Sequence, residues 1–359
     1  MGKRILMAMS GGIDSTVSAM LLQEQGHEIV GVTFRTFDSI DESCATAGKS
    51  CCSFDAIMEA RQMAEKLGFE HHIVDFRPAF REHVIQNFID EYMRGRTPNP
   101  CVICNSDIKW GILLNKADEL SCTHIATGHY AQIVQKNGHF FLHNAADAHK
   151  DQTYFLWKLT EENLSRTIFP LGGFTKDKVR ELAAERGFVK LSKKAESQEI
   201  CFIPDNDYRR FLTENVPDFA GKVYEGDFLN SDGEVVGKHA GFPFYTIGQR
   251  KGLKVAFGVP KYVTKIDAAS NAVTLGDRDD LLSSTLRASE CRFTDAKMLK
   301  QNPEIMARIR YKSPATSARI EIEGAEAVLH FTEPVWGVTP GQSVVFYQDE
   351  CVVGGGLIR

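Results

Sequence analysis

The sequence predicts an α/β protein with three parts. A doubly wound parallel sheet comes first, then a small mainly β central domain, then a C-terminal β-barrel. Three observations predict this. Apolar, β-branched runs alternate with helix-length segments through roughly the first 130 residues. A glycine loop separates the first such run from the first helix. Beyond Gly221 the chain turns into short β-type runs punctuated by Gly, Pro, Asp and Asn.

Residues 4–9 form a short apolar run, and 14–25 read as a helix that Gly26 ends in a left-handed cap. Residues 28–34 are the next strand. Ser53 is a plausible N-cap for a helix with Ile57, Ala60, Ala64 and Leu67 on one face, closed by Gly68. Residues 71–76 are a third strand, 78–93 a further helix and 123–127 a fourth strand. Helices of this length between strands imply right-handed crossovers and a parallel sheet. Thr175 caps a helix that ends at Gly187. Later strands are expected at 223–229, 262–266, 272–275, 306–310, 318–322, 327–331 and 343–347. The domains are expected at 1–213, 214–284 and 285–359.

The chain has 359 residues, 43% hydrophobic and 25% charged, an ordinary globular mix. No run approaches the roughly 18 apolar residues of a membrane helix, and no secretory signal is expected, so the cytoplasm is the default. A net charge of −5 argues against a general nucleic-acid coater. Two basic segments stand out locally: Arg308, Arg310, Lys312 and Arg319, and Lys176, Lys178, Arg180, Arg186, Lys190, Lys193 and Lys194. Such residues neutralise phosphates, or simply face solvent. The nine cysteines read as thiols, metal ligands or catalytic groups rather than a disulfide framework. Cys44, Cys51, Cys52, Cys122, Cys291 and Cys351 have no assigned role.

Met9-Ser10-Gly11-Gly12-Ile13-Asp14-Ser15 follows the first strand and opens the first helix. Two glycines let backbone approach an anion, Ser10 and Ser15 add hydroxyls, and the helix N-terminus offers free N–H groups. Asp14 makes sense as a magnesium ligand or a helix cap. This is no Walker A loop: Gly48-Lys49-Ser50 has Ser43 where the first glycine belongs. Ser-Gly-Gly-x-Asp-Ser resembles the PP-loop of ATP pyrophosphatases, which cleave ATP between the α- and β-phosphates. Phe34, ending the second strand, is a candidate to contact adenine, and Gly128 would let backbone meet the nucleotide.

Arg96-Thr97-Pro98-Asn99-Pro100-Cys101-Val102-Ile103-Cys104-Asn105 is the second informative stretch. Its prolines imply a rigid, non-helical loop. The Cys-x-x-Cys is half of a zinc site, a redox pair, or the bearer of a nucleophile. Cys201, within Ser197-Gln198-Glu199-Ile200-Cys201-Phe202-Ile203, is a further candidate.

Together these stretches resemble the bacterial tRNA-specific 2-thiouridylases. So do Ala126-Thr127-Gly128-His129-Tyr130, residues 150–156 (Lys-Asp-Gln-x-Tyr-Phe-Leu), residues 245–253 and Gly354-Gly355-Gly356. They run in the family's order over essentially the whole chain. The resemblance implies thiolation of a wobble uridine, with ATP and Mg2+ adenylating the C2 oxygen of uracil. It implies that Cys201 carries a persulfide. Cys104 is then the second catalytic cysteine, able to attack Cys201 and leave a Cys104–Cys201 disulfide. Ala8, Met9, Ser10, Gly11, Gly12, Ile13, Asp14, Ser15, Phe34 and Gly128 match ATP-contacting positions. Asn99, Pro100 and Cys101 match the stretch that meets the target base. Lys150, Asp151, Gln152, Arg310 and Tyr311 match tRNA-contacting positions.

Some relatives carry Asp where this chain has Cys101, so their acid–base assignment does not transfer. An alternative is a [4Fe–4S] cluster on Cys101, Cys104 and Cys201. A cysteine desulfurase or sulfur-relay protein is implied as donor, with no membrane partner and a monomer in the absence of tRNA. Two other readings are an amide ligase of the same loop class, which would leave the cysteines idle, and a tRNA-binding protein without turnover.

Overall fold

A computed structural model describes residues 2–36, 54–194, 200–255 and 258–359. The chain divides into two compact units. One comprises Met1–Ile85, Cys101–Asn206 and Asp349–Val352, the other Gln86–Pro100, Asp207–Gln348 and Val353–Arg359.

The first unit is built on a five-stranded sheet of β1 (Arg4–Ala8), β2 (Glu28–Arg35), β3 (His71–Asp75), β4 (His124–Ala126) and β7 (Thr167–Ile168). The order is β3-β2-β1-β4-β7, every pair parallel. Ile5, Leu6 and Met7 of β1 are fully buried, as a central strand covered on both faces requires. The chain leaves β1 toward β2 on one side and reaches β4 on the other. The reversal puts a crevice at the carboxyl ends of β1 and β4, where open α/β sheets bind ligands.

Helix α1 (Ile13–Glu24) follows β1, and Gly26 has the left-handed φ of +80° expected of its cap. Helix α2 (Phe54–Leu67) ends before Gly68 at φ +77°; its expected N-cap, Ser53, lies outside the described residues. The helix expected over 78–93 is three pieces in succession: α3 (Arg77–Phe80), a π-helical stretch Arg81–Ile85, and α4 (Gln86–Met93). A hairpin unforeseen in the sequence, β5 (Gln132–Lys136) and β6 (His139–His143), pairs with Cys351 and Val352.

The second unit holds a four-stranded sheet and a barrel. The sheet has β8 (Gly226–Leu229), β9 (Val235–His239), β10 (Tyr262–Asp267) and β11 (Ala272–Gly276), in the order β10-β11-β8-β9. Phe228, Phe242, Tyr245, Val263 and Val273 fill its core. The barrel strands are β12 (Leu282–Phe293), β13 (Glu304–Arg308), β14 (Thr316–Glu323), β15 (Glu326–Trp336), β16 (Ser343–Gln348) and β17 (Cys351–Ile358). They run β12-β15-β14-β13-β16-β17, and β12 pairs with β17 to close the ring. Closure removes the exposed edges. Strands β9, β12 and β17 were not expected; β12 and β17 are the pair that closes the barrel.

Candidate functional site

The loop after β1 is shaped by its own atoms. Met9 N–H donates to Val32 O (2.7 Å), and Thr33 Oγ1 donates to Met9 O (3.0 Å), fixing the strand end. Gly11 has φ +69°, and a Cβ there would lie 2.6 Å from Ala56 O. The N-cap of α1 is Gly12, and among the described residues no side chain caps its first N–H groups. Free N–H groups at a helix start can receive an anion. Ser15, expected as a donor to that anion, is 3% exposed. Its Oγ accepts from Ser10 N–H (3.2 Å) and donates to Gly12 O (3.1 Å), so it organises the loop, while Ser10 stays exposed.

Asp14 caps no N–H. Its carboxylate receives Lys176 Nζ at 2.8 and 2.9 Å and Tyr130 O–H at 2.9 Å. Lys176, expected in a phosphate-neutralising segment, is 6% exposed and sits in the first turn of α6 (Lys176–Glu185). Arg186, from the same segment, bonds Glu24 at 2.7 and 2.8 Å. Gly128 packs on the helix: a Cβ there would lie 2.9 Å from both Asp14 C and Ser15 N. Phe34 stands at the carboxyl end of β2 with its ring 4.7 Å from that of Phe76, a residue not singled out in the sequence. The pair forms an apolar wall on the edge that carries the loop.

The expected non-helical loop around the Cys-x-x-Cys stops sooner than the prolines suggested. Pro100 begins α5 (Pro100–Ile103), and a π-helical stretch, Cys104–Trp110, continues it. Proline is at ease in a first helical turn, where its missing N–H has no intrahelical partner. Cys101 is exposed; Cys104 and Cys201 are half-buried. At i and i+3, Cys101 and Cys104 lie on neighbouring positions of one helical face. Phe202 meets Phe80 edge-on at 5.7 Å, and α3 packs against the Cys104 stretch. Phe202, next to Cys201, and the stretch that opens at Cys104 therefore both pack on α3. Among the described residues no three His, Cys, Asp or Glu side chains converge to hold a metal ion, so Cys101, Cys104 and Cys201 do not form a ready ligand set. Cys51 and Cys52 lie outside the described residues. Cys122, Cys291 and Cys351 are buried, and burial pushes the Cys291 thiol up to about 12, which leaves it unreactive.

Asn105, next to Cys104, was not singled out as a site residue. Its Nδ2 donates to Phe155 O (3.0 Å), while Oδ1 is buried with no partner among the described residues. His129 lies between Thr127 Oγ1 (2.7 Å) and Lys109 Nζ (3.5 Å). Burial beside Trp110 and Phe169, reinforced by Lys109, holds its pKa well below the ordinary histidine value.

The loop Lys150, Asp151, Gln152 is anchored inward. Asp151 is 4% exposed and accepts from Ala145 N–H (2.7 Å) and Thr153 Oγ1 (2.5 Å). Gln152 exchanges two hydrogen bonds with the backbone of Tyr130 (2.9 and 3.0 Å).

In the second unit, Thr97 N–H donates to Pro340 O (2.8 Å), and Gln342 Nε2 donates to Thr97 O (3.1 Å) and Pro98 O (2.8 Å). These bonds hold the turn before Asn99. Arg310 Nη2 donates to Gly337 O (2.8 Å) and Thr339 Oγ1 (2.7 Å), and its guanidinium lies 5.5 Å over Trp336. Tyr311 follows, half-buried.

An α/β crevice with an uncapped helix N-terminus, followed by two β modules, has the architecture of a nucleotide-binding enzyme core with appended β domains. Family models agree with this architecture. The tRNA methyl transferase HUP domain matches residues 3–205 and the tRNA methyl transferase PRC-barrel domain residues 209–277. The aminomethyltransferase β-barrel domain matches residues 283–358. The tRNA-specific 2-thiouridylase MnmA of Amoebophilus asiaticus is 47% identical, covering 99% of this chain and 95% of its own. That of Cytophaga hutchinsonii is 47% identical over 99% and 97%. MnmA 1 of Clostridium botulinum (strain Loch Maree) is 44% identical, with both chains fully covered. The chain belongs to the family of tRNA-specific 2-thiouridylases.

Proposed function

We propose that this chain converts the wobble uridine of tRNA to 2-thiouridine in an ATP-dependent reaction. Family membership over the full length supports the reaction class. The observation that carries the mechanism is the Phe80–Phe202 ring contact, which sets the residue after Cys201 against α3, the helix that packs on the Cys104–Trp110 stretch.

In this reading the loop Ala8–Ser15 binds the phosphates of ATP, Phe34 borders adenine, and Gly128 seats the loop. Mg2+ arrives with the nucleotide, since magnesium keeps phosphate and water ligands and needs few from protein. The uracil C2 oxygen attacks the α-phosphate, and pyrophosphate leaves. Cys201 carries the sulfur as a persulfide. The Cys104 thiolate attacks the sulfur bonded to Cys201, and the outer sulfur departs as hydrosulfide with the S–S electron pair. Hydrosulfide adds at C2 and AMP leaves. The Cys104–Cys201 disulfide then takes two electrons from a thiol reductant. Asn99, Pro100 and Cys101 meet the flipped base, whose exposure costs least in a loop. Lys150, Gln152, Arg310 and Tyr311 contact the tRNA, and Asp151 shapes the loop that presents them. Sulfur comes from a cysteine desulfurase or relay protein. The enzyme is cytoplasmic and monomeric when free of tRNA, with parts at 1–213, 214–284 and 285–359.

The test is 2-thiouridine formation on wobble-uridine tRNA with ATP, magnesium and a persulfide donor, using protein of measured iron content. Wild type, Cys104→Ser, Cys201→Ser and Cys101→Ser are compared. Iron-free activity lost in the first two variants is expected. Activity only with about four irons per chain, lost in all three variants, would replace this mechanism with the cluster.

A further inference from the structure

The loop that bears Lys150 and Gln152 is joined to Asp14 of the nucleotide loop by two routes. In the first, Asp147 Oδ2 accepts from Lys176 N–H (2.9 Å), and Lys176 Nζ holds both carboxylate oxygens of Asp14. The same Asp147 accepts from His149 N–H through Oδ1 (3.0 Å) and from Lys150 N–H through its backbone carbonyl (3.0 Å). In the second, Gln152 pairs with the backbone of Tyr130, whose hydroxyl donates to Asp14 Oδ1 (2.9 Å).

Neither route is slack. Tyr130 is 3% exposed and packs in one cluster with Ile13, Val17, Ala145, Leu171 and Val179. Ala146 N–H donates to Gly172 O (2.8 Å), and a Cβ on Gly172 would lie 2.1 Å from Ala131 O. Lys176 Nζ also lies 5.7 Å over the Tyr130 ring. A displacement of residues 147–152 therefore reaches Asp14 through the buried side chains of Lys176 and Tyr130. Asp14 lies in the first turn of α1, beside the N–H groups aimed at phosphate, where an uncompensated carboxylate would repel ATP.

We propose that Lys176 and Tyr130 are positioning residues that couple tRNA binding at residues 147–152 to the geometry of the ATP loop. The inference rests on the thiouridylase reading and extends it. Docked tRNA fixes the 147–152 loop, the two routes fix Asp14, and the phosphate loop takes its ATP-binding form. Coupling of this kind is reciprocal, so ATP must tighten tRNA by the same factor.

The experiment measures the Kd of a non-hydrolysable ATP analogue with and without saturating wobble-uridine tRNA, and the Kd of tRNA with and without the analogue. Full-length wild type, Lys176→Met, Lys176→Arg and Tyr130→Phe are used. Wild type is expected to show an equal factor of about tenfold in both directions. Lys176→Met and Tyr130→Phe are expected to bring it below about twofold, and Lys176→Arg to keep most of it. Tyr130→Phe keeps the buried ring, so it folds even if Lys176→Met does not. A purely structural role would lower thermal stability and leave the factor in place. An unchanged factor in Tyr130→Phe and in any folded Lys176→Met, or a wild-type factor of one with both ligands bound, overturns the coupling alone. A wild type that binds neither ligand and makes no thiouridine overturns the functional reading and this inference with it.

Discussion

The ring of Phe202 meets the ring of Phe80 edge-on, with centroids 5.7 Å apart and planes at 76°. Both are at most 2% exposed. This contact fixes the backbone that carries Cys201 against α3, which in turn packs on the helix of Cys104. Phe202→Leu is expected to keep the fold and loosen that placement. Single-turnover thiouridine formation should fall about tenfold, the scale of a small misplacement of reacting groups. Pyrophosphate release should stay near wild type, because the ATP loop is untouched. Equal losses in both steps would show that Phe202 supports the whole unit rather than the sulfur step.

Glycine substitutions separate loop function from general strain. Gly128→Ala would drive a methyl to 2.9 Å from the backbone of Asp14 and Ser15, and Gly11→Ala to 2.6 Å from Ala56 O. Each is expected to raise the KM for ATP at least about tenfold, a loss of about 1.4 kcal/mol. Gly26→Ala is the control. It has a left-handed φ of +80° with open space around its Cβ position. It should cost about 1 kcal/mol of stability and leave the KM unchanged. ATP titrations and thermal melts on the three variants check this.

Arg310 is held in place from behind. A Cβ on Gly337 would lie 2.9 Å from its Nη2, and Gly337 has φ +72°. Gly337→Ala is expected to displace the guanidinium and weaken tRNA binding severalfold, with the KM for ATP unchanged. Arg310→Lys should behave likewise, since an ammonium lacks the planar face that stacks over Trp336 while Nη2 meets Gly337 O and Thr339 Oγ1. Filter binding against salt concentration checks both.

Acid should weaken the first unit through His71. Burial first, then the charges of His72 and Arg61, lower its pKa to about 4. Thr33 Oγ1 donates to Met9 O, so at 2.8 Å from His71 Nε2 it accepts the ring N–H. Between pH 4 and 6.5 the unfolded chain binds more protons than the native one. Stability is therefore full above 6.5 and falls as pH drops through that window. After allowance for partial exposure, the loss is on the order of 1 kcal/mol. His71→Gln should flatten the slope in urea melts at pH 4.5 to 7.

Much of the site was legible because its residues are local. Ser10, Gly11 and Gly12 follow a strand and open a helix, so adjacency in the chain is adjacency in space. The Cys-x-x-Cys was legible for the same reason, but its setting was misjudged: Pro100 starts a helix because a first-turn residue needs no N–H. Lys176 was hidden. It stands 162 residues from Asp14 and reads as one more cation in a basic run. Phe76 and Asn105 were hidden too, because an aromatic after a strand and an amide in a helix have no pattern of their own. Strands β12 and β17 were missed because their pairing with each other, residues 288–293 with 354–358, is what makes them a closing seam.

The sequence by itself determined the parallel sheet, the glycine loop that follows its first strand and the family, because periodicity, glycine and motif order are carried by near neighbours. Only the tertiary structure decided that Asp14 faces Lys176 and Tyr130, that Asp151 is buried, and that Arg310 is braced by Gly337. Those facts depend on which distant side chains share a low-dielectric space, where a charge must find its partner and a backbone its clearance. No local pattern encodes that choice; the packing of the whole unit makes it.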